Sequence, residues 1–295
     1  MREYMLRRLL TMVPVLLLIS LIGFALLYLL PGDPALAILG DQIAADKQLY
    51  ERLRREMHLD DPVYVQYVRW LGQIVQGNLG TSVMTREPVL EMILFRLPIT
   101  LQLGMMALCL AVAIGLSAAI VSALRPGSKL DFACSVLALA GVAMPNFWLG
   151  VLLIYLLSVW LQLLPPTGFT PFREDPGLNL KMMLMPAITL GTGLAAIIMR
   201  QARSALLEVL HQDYVRTARA KGLYEQQVIV GHALKNAMIP IATIIGLQLG
   251  NLFAGAAISE TIFAIPGIGR MVVEAIFFRD YPVAQEVDGE HRDKD

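Results

Sequence analysis

Five stretches of this sequence carry no charged side chain: residues 9–30, 97–124, 132–164, 182–199 and 237–259. At 1.5 Å per helical residue, each reaches across most or all of a hydrocarbon core about 30 Å thick. The pattern therefore predicts five transmembrane helices. Residues 31–96 break it, with helix-like apolar spacing over 47–57 and 63–75 and a turn at Gly77-Asn78-Leu79-Gly80. Beyond residue 259, the pieces 261–269 and 271–278 stay semi-apolar but are interrupted by Pro266, Gly267, Gly269, Arg270 and Glu274. Neither can span, so a helix near the outer interface or a re-entrant segment is expected. The last residues, 286–295, are almost wholly polar.

Charge placement orients the spans. Basic residues gather in three groups: Arg2, Arg7 and Arg8; Arg125 and Lys129; and Arg200, Arg203, Arg216, Arg219, Lys221 and Lys235. They fall alternately between the apolar runs, as the retention of Lys and Arg on the cytoplasmic side requires. The N-terminus is then cytoplasmic, residues 31–96 form an extracytoplasmic segment, and the tail lies outside. The first run is too long for the apolar part of a signal peptide and no A-x-A-like site follows it, so it reads as an uncleaved anchor.

Composition agrees with membrane insertion: 56% of residues are hydrophobic and only 16% charged, with zero formal net charge, so no basic balance points to nucleic acid. Cys109 and Cys134 sit inside apolar runs as small hydrophobes. No apolar run contains an ionisable side chain of the kind proton relays use, which weighs against an ion-coupled carrier or channel. His58, His211, His232 and His291 lack the i, i+4 partner of a helical zinc motif, and neither a G-x-S-x-G elbow nor a G-x-x-x-x-G-K-[ST] phosphate loop is present. The chain reads as a non-enzyme with no cofactor of its own.

The most informative stretch is Asp213-Tyr214-Val215-Arg216-Thr217-Ala218-Arg219-Ala220-Lys221-Gly222-Leu223, followed by His232-Ala233-Leu234-Lys235-Asn236-Ala237-Met238-Ile239-Pro240. Physically it is a short helix in which Ala218 and Ala220 let another surface come close and Gly222 supplies a left-handed cap. A plain basic loop that only fixes topology is the competing reading. The stretch resembles the cytoplasmic loop of permeases from ATP-binding-cassette importers, in the form typical of the dipeptide, oligopeptide and nickel group: D-Y-x-R-T-A-R-A-K-G-L, then H-A-L-x-N-A-x-x-P. Further landmarks of that family occur in order: Leu30-Pro31-Gly32-Asp33-Pro34, Gly77 to Thr81, Met144-Pro145, Ile188-Thr189-Leu190-Gly191, Glu260-Thr261-Ile262-Phe263 with Pro266-Gly267-Ile268-Gly269, and Arg279-Asp280-Tyr281-Pro282-Val283.

The resemblance implies an all-α polytopic membrane protein of the MetI-like type I importer fold, sited in the bacterial inner membrane. It implies that Asp213, Tyr214, Arg216, Thr217, Ala218, Arg219, Ala220, Lys221 and Gly222 form a coupling helix seated on an ATPase subunit. The implied partners are a second homologous permease, two cytoplasmic subunits that bind the ATP, and an extracytoplasmic solute-binding protein. The cargo would be a dipeptide, longer peptide, glutathione or nickel complex. The family continues from R-D-Y-P-V into a sixth span, whereas here Ala284-Gln285 gives way to a polar tail, so a truncated, non-transporting permease or scaffold is the alternative. The expected organisation is an anchor at 1–30, the outer segment 31–96, a permease core at 97–260 with its loop at about 200–236, an interfacial segment at 261–285 and the tail 286–295.

Two further features carry expectations. Met144, Pro145 and Asn146 interrupt the third run, where a proline frees a carbonyl that could face a solute path or merely kink the helix. Gly246 and Gly250 form a small-xxx-small pair that predicts close helix contact, and Gln248 and Asn251 on the same run are polar groups open to a pathway or a packing role.

Overall fold

The computed structural model describes residues 2–29, 47–56, 59–82 and 85–278. Among these, every regular element is helical: α1 (Arg2–Leu29), α2 (Lys47–Glu56), α3 (Val63–Val75), α4 (Val89–Leu124), α5 (Lys129–Ala143), α6 (Asn146–Leu153), α7 (Pro176–Leu210), α8 (Asp213–Ala220), α9 (Glu225–Val228), α10 (Leu234–Ile262) and α11 (Ile268–Phe278). Wider π turns extend α6 over Ile154–Trp160 and join α9 to α10 over Ile229–Ala233. The L-P-G-D-P and R-D-Y-P-V elements and the polar tail lie outside the described residues. The residues separate into two compact units, Met1–Phe95 with Met271–Asp295, and Arg96–Arg270. The second unit includes residues 261–270.

In the first unit, α1 is a long apolar helix whose surface is almost entirely bare. Its far end is held by an aromatic cluster: the Phe24 ring lies 5.4 Å from that of Tyr67 and 5.8 Å from that of Trp70, while Ser20 and Tyr67 share a hydroxyl contact of 2.8 Å. Edge-on rings with one polar tip suit the border between lipid and water. The α2 and α3 helices fall where their apolar spacing places them, and ion pairs Arg54–Asp60 and Arg69–Asp61 fasten the turn between them.

The second unit is built around α7. Fifteen of its 35 residues are buried, and many of them are small. On α4 the inward residues recur every fourth position: Leu103, Ala107, Ala111, Gly115, Ala119 and Ala123. This ridge meets a matching one on α7, with backbone nearly touching backbone: a Cβ on Gly191 would stand 2.9 Å from the Ala107 carbonyl oxygen, and one on Gly115 would stand 2.6 Å from that of Ala195. Close approach of small residues is how helices associate where lipid removes the hydrophobic drive. Gly141 lets α5 approach α7 less tightly, an added Cβ standing 3.2 Å from Ala196 Cβ and 3.4 Å from Thr192 Cγ2, and α10 packs on α7 through Ala237, Ile241, Leu252 and Ala256.

The third apolar run is broken at the proline: Lys129–Ala143 and Asn146–Trp160 meet at 103°, a broken span or a re-entrant pair beside four continuous helices among the described residues that are long and apolar enough to cross a membrane. Pro145 has no N–H for the carbonyl of Gly141, and each arm, about 22 Å long, is too short to cross alone. One expectation needs correcting: among the described residues Gly246 and Gly250 make no close helix contact, and added methyl groups there would meet nothing within 4 Å. They lie on the open face of α10, whereas Gln248 is buried on the opposite face.

Candidate functional site

The loop between the last two spans is a compact module at the basic end of the second unit. The Gln212 backbone opens α8, and Val215 and Ala218 on its inner face pack against Val228 of α9 and Leu210 of α7. Ala218 is buried in this internal contact, whereas Ala220 is exposed. The outer face is polar and bare, with the Asp213 and Arg216 side chains 97% and 78% exposed. Thr217 donates back to the Asp213 carbonyl at 2.9 Å, a helix-surface bond that leaves its outer side open.

Gly222 ends the helix at φ +78°, and its amide donates to the Arg219 carbonyl at 3.0 Å. This is the left-handed cap expected of a glycine there. Arg219 then reaches across the turn and grips Glu225 through Nε and Nη2, at 3.1 and 2.7 Å. Those hydrogen bonds hold the Glu225 carboxyl below, and the Arg219 guanidinium above, its ordinary pKa. Both groups are about half exposed, so water screens the pair to about 0.2–1 kcal/mol. Asn236 at the start of α10 donates to the Tyr214 hydroxyl at 2.8 Å, tying the module to the last span. The exposed Lys221 carries its charge beside the cap.

At the opposite end of the second unit, Glu260 is fully buried. One carboxylate oxygen accepts from the Thr100 hydroxyl at 2.7 Å and the other from the Arg270 amide at 2.8 Å, while the Ile268 amide donates to Thr100 at 2.9 Å. The carboxylate and Thr100 thus satisfy two orphan amides at the start of α11, where the helix dipole favours negative charge. A Cβ on Gly267 would lie 2.1 Å from the carboxyl group and one on Gly269 would lie 2.5 Å from Ala257 Cα, so P-G-I-G reads as the shape that lets the chain fold back over Glu260. Nearby, the buried Asn179 accepts from Gln102 and donates to the Thr170 carbonyl at 2.7 Å, and the Gly168 amide donates to the Phe263 carbonyl at 2.9 Å.

Met144 and Asn146 are half-buried at the break between α5 and α6, and Pro145 is exposed. Asn146 Nδ2 lies 4.0 Å from where a Cβ of Gly255 would stand, which puts the break beside the upper part of α10. The break and the α8 module lie in different parts of the unit. Two polar clusters are not visible in the sequence: the one around Glu260, and a second at the basic end. At the basic end, Arg203 of α7 donates to both oxygens of Asp131 and to Ser122 of α4, each at 2.8 Å. The only hint in the sequence was Ser128 followed three residues later by Asp131, a helix-start pattern.

Comparison with known proteins gives a consistent result. Residues 111–288 match the model of the family described as "Binding-protein-dependent transport system inner membrane component", and residues 1–104 match that of its N-terminal component. The chain is 44% identical to the di/tripeptide transport system permease protein DppB of Pseudomonas aeruginosa, covering 97% of this chain and 90% of that protein. It is 40% identical to the dipeptide transport system permease protein DppB of Escherichia coli, covering 97% and 91%. With the oligopeptide transport system permease protein AppB of Bacillus subtilis it shares 40% identity, covering 96% and 90%. A crystal structure of an amino acid ABC transporter with histidines aligns at 15% identity and a TM-score of 0.46, over 65% of this chain and 82% of that one.

Proposed function

Since the chain belongs to the family of binding-protein-dependent transport system inner membrane components, we propose that it is the permease subunit of an importer carrying short peptides across the bacterial inner membrane. It is a multi-pass membrane protein and part of an ATP-binding-cassette transporter. The relatives named above are transport permeases, not enzymes, and the chain takes the same role, moving solute rather than transforming it.

The observation that carries the mechanism is the α8 module: a short helix with a polar outer face, set on a small apolar base at the end of α7 and tied to α10. A helix held at both ends in this way converts a push from outside into movement of two spans. In our reading its outer face, from Asp213 to Gly222, seats on a cytoplasmic ATP-binding subunit, and the nucleotide is held by that partner. Closure of two such subunits rocks this chain against a second homologous permease, giving alternating access as a rigid-body motion. The N-terminus and the basic clusters then face the cytoplasm, and an extracytoplasmic binding protein delivers the peptide from the side of Glu260. The break at Met144, Pro145 and Asn146 borders the path, offering carbonyl and amide groups that a peptide backbone can hydrogen-bond.

Co-purification tests this reading. The tagged chain, extracted in mild detergent with the products of its neighbouring genes, is expected to bring down ATP-binding subunits and a second permease. ATP hydrolysis by the assembly is expected to rise when the solute-binding protein is added. A chain that comes down alone, or an assembly whose hydrolysis ignores the binding protein, overturns it.

A further inference from the structure

We propose that Arg203 and Asp131, with Ser122, are positioning residues for energy coupling: they lock α4, α5 and α7 into one lever that the α8 module drives. The proposal rests on the reading of α8 as the docking helix.

Arg203 lies two helical turns before the end of α7, immediately above the docking module. Its Nε donates to Asp131 Oδ1 and to Ser122 Oγ, and its Nη2 to Asp131 Oδ2, so one guanidinium touches two other helices. The Asp131 carboxylate accepts further hydrogen bonds from the Ser122 hydroxyl and, at 2.9 Å, from the Gly127 amide, while Ser128 caps the Asp131 amide. The Asp131 side chain is only 8% exposed and that of Arg203 29%. A carboxylate supplied with donors from α4, α7 and the 125–128 turn is a built junction, not a surface pair.

The surrounding packing explains why a junction is needed. The buried residues at this end include Ala119, Ala123, Ala138, Ala202 and Ala237. Alanine faces fit closely but interlock little, so they allow one helix to slide or turn on the next. A fork of parallel N–H···O bonds is directional and fixes both register and rotation. Leu206, buried one turn below, and Leu210, packed on Val215 and Val228, carry the connection down to α8. Displacement of α8 thereby reaches α4 and α5 through α7 without slack.

The test uses the whole reconstituted assembly and two conservative variants, Arg203→Lys, which keeps the charge and loses the fork, and Asp131→Asn. The readout is peptide taken up per ATP hydrolysed. Both variants are expected to assemble and hydrolyse ATP, with that ratio lowered about fivefold or more, the lower range of a site-to-site coupling. A purely structural role would lower uptake and hydrolysis together and leave the ratio at the wild-type value; that result, or full coupling in both variants, overturns the proposal. A second measurement does not depend on activity. Spin labels at the exposed Lys129 and Glu208 should keep one distance in nucleotide-free and ATP-trapped wild-type assemblies, and the distribution should broaden in Arg203→Lys. A wild-type distance that changes between the two states also overturns it. If the wild-type assembly itself shows no ATP-driven uptake, the docking reading fails instead, whatever the variants do.

Discussion

Replacing Glu260 by alanine removes the carboxylate that holds the start of α11. Two donors lose a buried acceptor, the Thr100 hydroxyl and the Arg270 amide. Hydrogen bonds to a charged group are each worth about 1.5–3 kcal/mol, so the turn at 263–270 should open about 3–6 kcal/mol more easily. Glu260→Gln keeps an acceptor for Thr100 but turns an amide donor toward the Arg270 N–H, and should cost about 1–3 kcal/mol. Hydrogen exchange of the detergent-solubilised protein reads this directly, because local opening sets exchange in a segment that unfolds on its own. At about 1.4 kcal/mol per factor of ten, residues 264–270 should exchange at least about a hundredfold faster in Glu260→Ala, while residues 185–200 of α7 stay protected. Gly267→Ala should give a similar change, since its methyl group would lie 2.1 Å from the carboxylate. Combined with Glu260→Ala, its effect should be less than additive, as for residues sharing one contact. Exchange in Glu260→Ala within about twofold of wild type would refute the capping argument.

Other consequences follow from the same geometry. Gly222→Asp should insert and assemble but uncouple ATP hydrolysis from uptake, because a side chain at φ +78° costs about 1–2 kcal/mol and adds charge at the docking cap; unchanged uptake would remove the docking role. Gly115→Ala should destabilise the bundle by about 1–3 kcal/mol in a detergent melt, through its 2.6 Å approach to the Ala195 carbonyl, whereas Gly246→Ala should not lower the melting temperature of the isolated chain. Because Glu225 titrates below its ordinary 4.5 in the folded loop, its pairing contributes fully above that value and is lost as the pH falls through the lowered one. A spin label at Thr217 should therefore stay ordered from pH 7 to about pH 5 and loosen only in stronger acid, and Glu225→Gln should remove that step.

The apolar runs made the spans legible because lipid leaves a helix no alternative for its backbone polar groups. The α3 helix and the Gly222 cap were legible for local reasons, an apolar period and a glycine after a short polar helix. Prolines were less informative. Pro98, Pro186 and Pro240 lie inside continuous helices, while Pro145 sits at a 103° break. A proline removes one hydrogen bond wherever it stands, and the packing of Gly150 on Ile262 and Phe263 accompanies the larger turn here. Small-residue spacing showed that helices would touch but not which ones. The close contacts are Gly191 with Ala107 and Gly115 with Ala195, not Gly246 and Gly250. The Glu260 and Asp131 clusters were hidden because their partners lie 160 and 72 positions away, and Arg203 looked like one more basic residue fixing topology.

A permease of an ATP-driven importer must let peptide into sealed vesicles, and that uptake is the decisive measurement. Vesicles holding the chain with its sister permease and ATP-binding subunits, supplied with binding protein and a labelled dipeptide, should accumulate the label only when ATP is present on the side of the α8 module. Accumulation that proceeds without the ATP-binding subunits would mean that this chain is not the permease of an ATP-driven importer.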